Sequence, residues 1–273
     1  MADSGMKPGG SGAWDYKNYC AMIIGAGGAQ PQAEHFSYTF PDDVPNTLFL
    51  CIKGTDGVAE WIIEIAEGRN IGIASSEGTL TTLRGFIENW CTSVNFSLLP
   101  GNQLALLNDE PKLKNIDRVV LVGHSLGGAY ANFMAIGLSW DPAKIQNGSV
   151  DCSEGPQRIL SNFPSSARIE IDTYGAPQLG DQNFVDYVTK RHVARAIINY
   201  YDLVPAAVPW LLTVGAPEIF KCRLSFAANP LKDKEHGSYW AGDHQVGCYC
   251  PGSSTWRNLE GDWDCGSEGS WNR

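Results

Sequence analysis

The residues Gly123-His124-Ser125-Leu126-Gly127 directly follow the apolar run Val119-Val120-Leu121-Val122. A serine between glycines, placed where a strand-forming run gives way to small residues, is the pattern of a nucleophile elbow. The chain leaves a parallel strand, reverses within a few residues and enters a helix, which holds the serine in a strained conformation with its hydroxyl exposed. Gly128 and Ala129 extend the pattern, because a helix that opens on small side chains can lie close on a sheet. Ala131, Phe133, Met134 and Ile136 then supply its apolar face. The plainer alternative is a tight Ser/Gly turn between two core elements. The setting of strand before and helix after favours Ser125 as a nucleophile.

A nucleophilic serine needs a base, and the base needs a carboxylate to orient it. The chain has five histidines. The chain order that accompanies this elbow is serine, acid, histidine, which places His35 too early and leaves His124 at the variable position of the turn. His192, in Lys190-Arg191-His192, reads as the solvated end of a helix over Phe184 to Val188. His236 and His244 remain. Tyr239 and Trp240 follow His236 and can wall an imidazole, whereas His244 enters a Cys- and Gly-rich tail, so His236 is the expected base. For the acid, Asp202 follows Ala196-Ile197-Ile198-Asn199-Tyr200-Tyr201, a strand by composition, and precedes Leu203-Val204-Pro205, which turns the chain away. Groups that act at an open parallel sheet gather at the carboxyl ends of its strands. Asp172 is the rival. It interrupts Ile169 to Tyr174, a strand expected to be buried on both faces, where an unpaired carboxylate is costly. It is therefore expected to be hydrogen-bonded structure, or else the strand starts elsewhere. Asp181, Asp186, Asp233 and Asp243 read as solvated surface.

The developing oxyanion needs donors, and the elbow supplies the backbone N–H of Leu126. A second donor is expected from the end of the strand Leu48 to Ile52, which stops at Lys53-Gly54-Thr55-Asp56. Thr55 offers its N–H and its hydroxyl there. A turn threonine that caps the next helix fits the same residue.

In this order the segments resemble the class 3 lipases, the fungal triacylglycerol lipase family of the α/β-hydrolase fold. Cys51-Ile52-Lys53-Gly54-Thr55 with Trp61 is similar to the family's oxyanion strand and lid entry. Leu83-Arg84-Gly85-Phe86-Ile87 is similar to its His-x-Gly-Phe segment, with Leu83 in place of the histidine. Gly123 to Gly127 matches the elbow, Thr173-Tyr174-Gly175-Ala176-Pro177 the next strand end, and Asp202-Leu203-Val204-Pro205 the acid motif. His236 with Tyr239 and Trp240 resembles the family's histidine segment.

The resemblance implies a central, mostly parallel twisted sheet flanked by helices in three layers. It also implies a serine carboxylester hydrolase that acts on lipid esters, acylglycerols foremost, through an acyl-enzyme, with no metal or organic cofactor. A phospholipase A, a small-ester (feruloyl-type) esterase, an acyltransferase that excludes water and a non-catalytic interaction protein on the same scaffold remain alternatives. The family places a mobile lid after the oxyanion strand. Here Val58, Trp61, Ile62 and Ile65 recur at helical spacing, while Asp56, Glu60, Glu64 and Glu67 take the other face. A helix packed permanently on the core has the same periodicity.

With 273 residues and 43% hydrophobic content, the chain can bury the core of one domain. Residues 1–14 are expected to be disordered, and 15–273 to form a single domain with a Cys-rich tail from about 245. Ile145 to Ala167 reads as a long polar connection. A net charge of −10 without a Lys/Arg cluster makes nucleic acid an unexpected partner. Any transient contact with a lipid interface should be led by apolar groups. No apolar stretch approaches the ~20 residues of a membrane helix, and Met1 to Pro8 lacks a signal-peptide core, which as written points to the cytoplasm. Eight cysteines point instead to an oxidising compartment, reached through a removed signal or an unusual route. Cys51 reads as a buried core thiol. His244, Cys248, Cys250 and Cys265 could form a zinc set, but Cys-x-Cys lacks the usual spacing, and disulfide clamping of the tail is the favoured reading. Oligomeric state is not encoded legibly.

Overall fold

The computed structural model describes residues 35–42, 44–54, 68–75, 77–139, 144–145, 160–199, 202–220, 223–224 and 263–264. Its centre is a six-stranded sheet in the order β1-β2-β5-β7-β8-β9. These strands are β1 (Phe36–Thr39), β2 (Thr47–Ile52), β5 (Arg118–His124), β7 (Arg168–Tyr174), β8 (Val193–Asn199) and β9 (Ala216–Phe220). The edge strand β1 runs antiparallel to β2, and every other pairing in this sheet is parallel. The composition explains the order. Every residue of β2 is buried, as are Val119 to His124 of β5, and strands apolar on both faces belong inside a parallel sheet covered on both sides.

Four helices accompany the sheet among the described residues: α1 (Arg84–Ser97), α2 (Gln103–Asn108), α3 (Leu126–Leu138) and α4 (Gln182–Arg191). Helix α3 connects β5 to the rest of the chain and is buried along its whole length, as its near-absence of polar residues requires. Trp90 of α1 lies 5.8 Å from Phe133 of α3, and Phe133 stands edge-on to Phe184 of α4 at 5.8 Å, so three helices share one aromatic seam on the sheet. Helix α4 starts on the side chain of Asp181, which accepts the Phe184 N–H at 2.9 Å.

A smaller antiparallel sheet lies in the order β4-β3-β6, formed by β3 (Asn70–Ser75), β4 (Gly78–Leu83) and β6 (Lys144–Ile145). The connection that composition marks from Ile145 onward thus begins on an edge strand. Thr82 of β4 bridges to Gly180, which bridges to Leu212, so the small sheet is stitched to the loops above the large one. A last pair joins β10 (Arg223–Leu224) to β11 (Trp263–Asp264), which ties a piece of the carboxyl-terminal tail to the chain just after β9.

The structure corrects two boundaries and one environment read from the sequence. The strand before Asp202 starts at Val193, not Ala196. The helix around Phe184 to Val188 extends from Gln182 to Arg191. His192, expected in solvent, is only partly exposed, and its Nε2 is buried without a hydrogen-bond partner among the described residues. Burial, with the charge of Arg191 beside it, holds its imidazole down to about 4.

Candidate active site

Ser125 lies between β5 and α3 with φ 59° and ψ −129°, one of two non-glycine residues with positive φ among those described. A serine held there stores strain that the surrounding turn must impose. Three glycines make that turn possible. A Cβ on Gly123 would come within 2.2 Å of the Gly127 carbonyl oxygen, and one on Gly127 within 2.2 Å of the Ile52 carbonyl oxygen. The third is Gly54, just beyond β2, where a Cβ would meet the His124 carbonyl at 2.8 Å and the Ser125 Cβ at 2.9 Å. The sequence places Gly54 just past the end of the strand Leu48 to Ile52 without signalling this contact. Its contact with Ser125 depends on the register that sets Ile52 beside Gly123. On the other side of the elbow, a Cβ on Gly128 would lie 2.5 Å from that of Ala176, so α3 does depend on a small residue to approach the sheet.

Backbone hydrogen bonds tie the strand ends into one platform. The Ser125 N–H donates to the Tyr174 carbonyl at 2.9 Å, the Gly175 N–H to Ile197 at 3.0 Å, and the Asp202 N–H to Asn199 at 3.0 Å. Ser125 after β5 and Asp202 after β8 thus stand at the same, carboxyl, edge of the sheet, with the end of β7 between them. Asp202 is buried, and its Oδ1 accepts the Val204 N–H at 2.9 Å, an Asx turn that leads into the 3-10 turn Val204–Ala206 and fixes the carboxylate. Leu126 is the first residue of α3, so its N–H has no carbonyl to bond within the helix and lies at the positive end of the helix dipole.

Asp172, the rival acid, is engaged elsewhere. It is buried in β7 and takes a bidentate contact from Arg195 of β8, Nε at 2.7 Å and Nη2 at 2.5 Å. Two residues earlier on β7, Glu170 binds Arg118 of β5 in the same way and also Arg168. The sequence expects a hydrogen-bonded Asp172; its partner Arg195 is not visible in the local pattern. His35 sits opposite Lys53, its Nδ1 3.2 Å from the Lys53 carbonyl oxygen. Cys51 is free and buried, and burial pushes its thiol well above the usual range. Cys91 of α1 is disulfide-bonded. No group of His, Cys, Asp and Glu able to hold a metal occurs among the described residues.

His236, Thr55 and the segment Val58, Trp61, Ile62 and Ile65 lie outside the described residues, as do His244, Cys248, Cys250 and Cys265. The structure therefore brings Ser125, Leu126, Gly54 and Asp202 to one edge.

A mostly parallel sheet with a serine elbow after a central strand and a carboxylate two strands along defines the α/β-hydrolase class. Residues 49–212 match the model of the class 3 lipases, and the chain belongs to that family. Among solved structures, a triacylglycerol lipase described by its serine protease triad superposes with a TM-score of 0.51 at 18% identity, over 75% of this chain and 78% of the other. The Rhizomucor miehei triacylglyceride lipase gives 0.50 at 20% identity, over 74% and 78%. These likenesses concern the fold. Curated relatives include a lipase of Rhizomucor miehei, 25% identical over 168 residues, and the secreted mono- and diacylglycerol lipase 1 of Fusarium solani, 23% identical over 167. The match takes in 61% of this chain and only 39 and 40% of those relatives. No helix among the described residues is long and apolar enough to cross a membrane.

Proposed function

We propose that the protein hydrolyses lipid esters, with acylglycerols as the substrate class, through an acyl-enzyme on Ser125. His236 removes the hydroxyl proton as Ser125 Oγ attacks the ester carbonyl. Asp202 holds the reactive tautomer of His236 and stabilises the imidazolium that forms. The Leu126 N–H and Thr55 bind the oxyanion, and the imidazolium returns its proton to the leaving alcohol. A water deprotonated by His236 then releases the fatty acid. The observation that carries this reading is Ser125 itself: a non-glycine residue strained to φ 59° at a strand-to-helix turn, in van der Waals range of Gly54 at the end of the neighbouring strand. Such strain is retained where a nucleophile must be presented.

Val58, Trp61, Ile62 and Ile65 are assigned to a lid that exposes an apolar surface when it opens. The disulfide at Cys91 and the word secreted in the name of the Fusarium relative support an exported protein. Hydrolysis of p-nitrophenyl esters from short to long chains, with and without an emulsified interface, tests the substrate class. Long-chain preference with gain at the interface is expected; confinement to short soluble esters overturns the lipid assignment. His236→Ala should abolish turnover and His244→Ala should keep it, and the reverse result would move the base into the tail. Trp61→Ala should lose more on emulsified long-chain ester than on a soluble short one, whereas equal loss with a large drop in melting temperature identifies a core tryptophan.

A further inference from the structure

The β1–β2 ladder ends with Phe36 opposite Ile52, yet the pairing continues one residue further through a side chain. The Lys53 N–H donates to the His35 carbonyl at 2.8 Å, and His35 Nδ1 lies 3.2 Å from the Lys53 carbonyl oxygen. A carbonyl can only accept, so Nδ1 carries the proton in this contact. The same ring stands edge-on to Tyr130, 5.7 Å between centroids at 66°. Tyr130 belongs to α3, which opens directly after Ser125. It is buried, its hydroxyl bonds Ser93 of α1, and burial holds its phenol well above the usual range, so it stays neutral. His35 thereby braces the end of β2 against the helix that carries the elbow.

The brace acts on one particular peptide. Lys53 precedes Gly54, whose Cα faces the Ser125 Cβ and the His124 carbonyl so closely that no side chain fits. A peptide unit is planar, so a tied Lys53 carbonyl sets where the Gly54 N–H points and how Gly54 is presented to the elbow. An oxyanion donor is effective only when aimed at the position the oxyanion will occupy, and small misplacements there are costly in rate. Ground-state binding makes no such demand.

We infer that His35 is a positioning residue for the oxyanion turn, holding the Lys53–Gly54 peptide against the elbow without touching substrate. This rests on the ester-hydrolase reading of Ser125. Its signature is a loss in kcat at nearly constant KM, since the interaction it supports forms only in the transition state.

Two substitutions separate the hydrogen bond from the ring. His35→Phe keeps an aromatic edge for Tyr130 and removes the donor. His35→Asn places an amide N–H near the position of Nδ1 and removes the ring. Each is measured on a soluble p-nitrophenyl ester and on the rate of Ser125 labelling by a p-nitrophenyl alkylphosphonate, whose tetrahedral oxygen uses the same donors. The kcat is referred to the sites that label, so unfolded material does not enter. We expect His35→Phe to lose about tenfold in kcat and in labelling rate with KM within about twofold, and His35→Asn to recover to within about threefold of wild type. Wild-type rates in His35→Phe, a loss confined to KM, or a His35→Asn no faster than His35→Phe each overturn the inference. If the wild-type protein does not label at Ser125, the ester-hydrolase reading fails and takes the inference with it; a labelled wild type with an unaffected His35→Phe overturns the inference alone.

Discussion

Gly54 leaves no room for a side chain beside the nucleophile: an alanine Cβ would press on the Ser125 Cβ at 2.9 Å and on the His124 carbonyl at 2.8 Å. Gly54→Ala should therefore cost about 1–3 kcal/mol of stability and, by shifting the serine, about a hundredfold in kcat/KM. Denaturant titration and steady-state kinetics on the same preparation check both, and an alanine variant with wild-type kinetics would separate the β2 end from the site. His192 carries a second residue-scale expectation. Its imidazole is held at about 4 when folded, against 6.5 for an unburied histidine. Above pH 6.5 it is neutral in both states and contributes no pH dependence. As pH falls from 6.5 toward 4 the unfolded chain takes up the proton first, so the folded state loses up to about 3 kcal/mol. In His192→Phe that slope should vanish, as read from the difference in unfolding free energy between variant and wild type across this range. The burial of His192 was not legible in Lys190-Arg191-His192, because a charged run predicts solvent, whereas burial at a helix end is set by how the whole helix seats on the sheet. The strand-to-helix turn at Ser125 was legible, because strand, glycines and small-residue helix all lie within one short stretch.

Between elements, the Asp172–Arg195 pair locks β7, the strand between those that lead into Ser125 and Asp202, to β8. Asp172 is buried while the Arg195 side chain is 27% exposed, so truncating the carboxylate leaves a partly buried guanidinium without its bidentate partner. Asp172→Ala should cost about 3 kcal/mol in urea titration, and Asp172→Leu with Arg195→Met should cost less than Asp172→Ala alone. Additive losses would mean that the pair contributes nothing beyond the packing of its two side chains. The same pair explains why the start of β8 was misplaced by composition. Arg195 reads as the end of a charged surface until the carboxylate opposite it is known, and that partner comes from another strand. The parallel core was legible because β2 and β5 are apolar throughout. The β4-β3-β6 sheet was not, since Asn70 to Leu83 is short, rich in Gly and Thr, and stabilised by a bridge from Thr82 to Gly180 far along the chain.

At the scale of the whole molecule, a net charge of −10 sets how a lipid surface can be approached. Apolar contact must lead, and a negative surface should repel the protein within a Debye length. Flotation at low salt should find more protein on phosphatidylcholine vesicles than on phosphatidylglycerol vesicles, with the difference closing as salt is raised; equal binding at low salt would reveal a basic docking face that the composition does not suggest. All of this depends on the chemistry assigned to one hydroxyl. The elbow needs a small side chain at position 125, and the reaction needs its oxygen. The decisive measurement is kcat/KM of Ser125→Ala on a p-nitrophenyl ester, taken with its melting temperature. A fall of several powers of ten at an unchanged melting temperature is predicted, and a folded Ser125→Ala that still turns over at a rate near wild type would contradict the account.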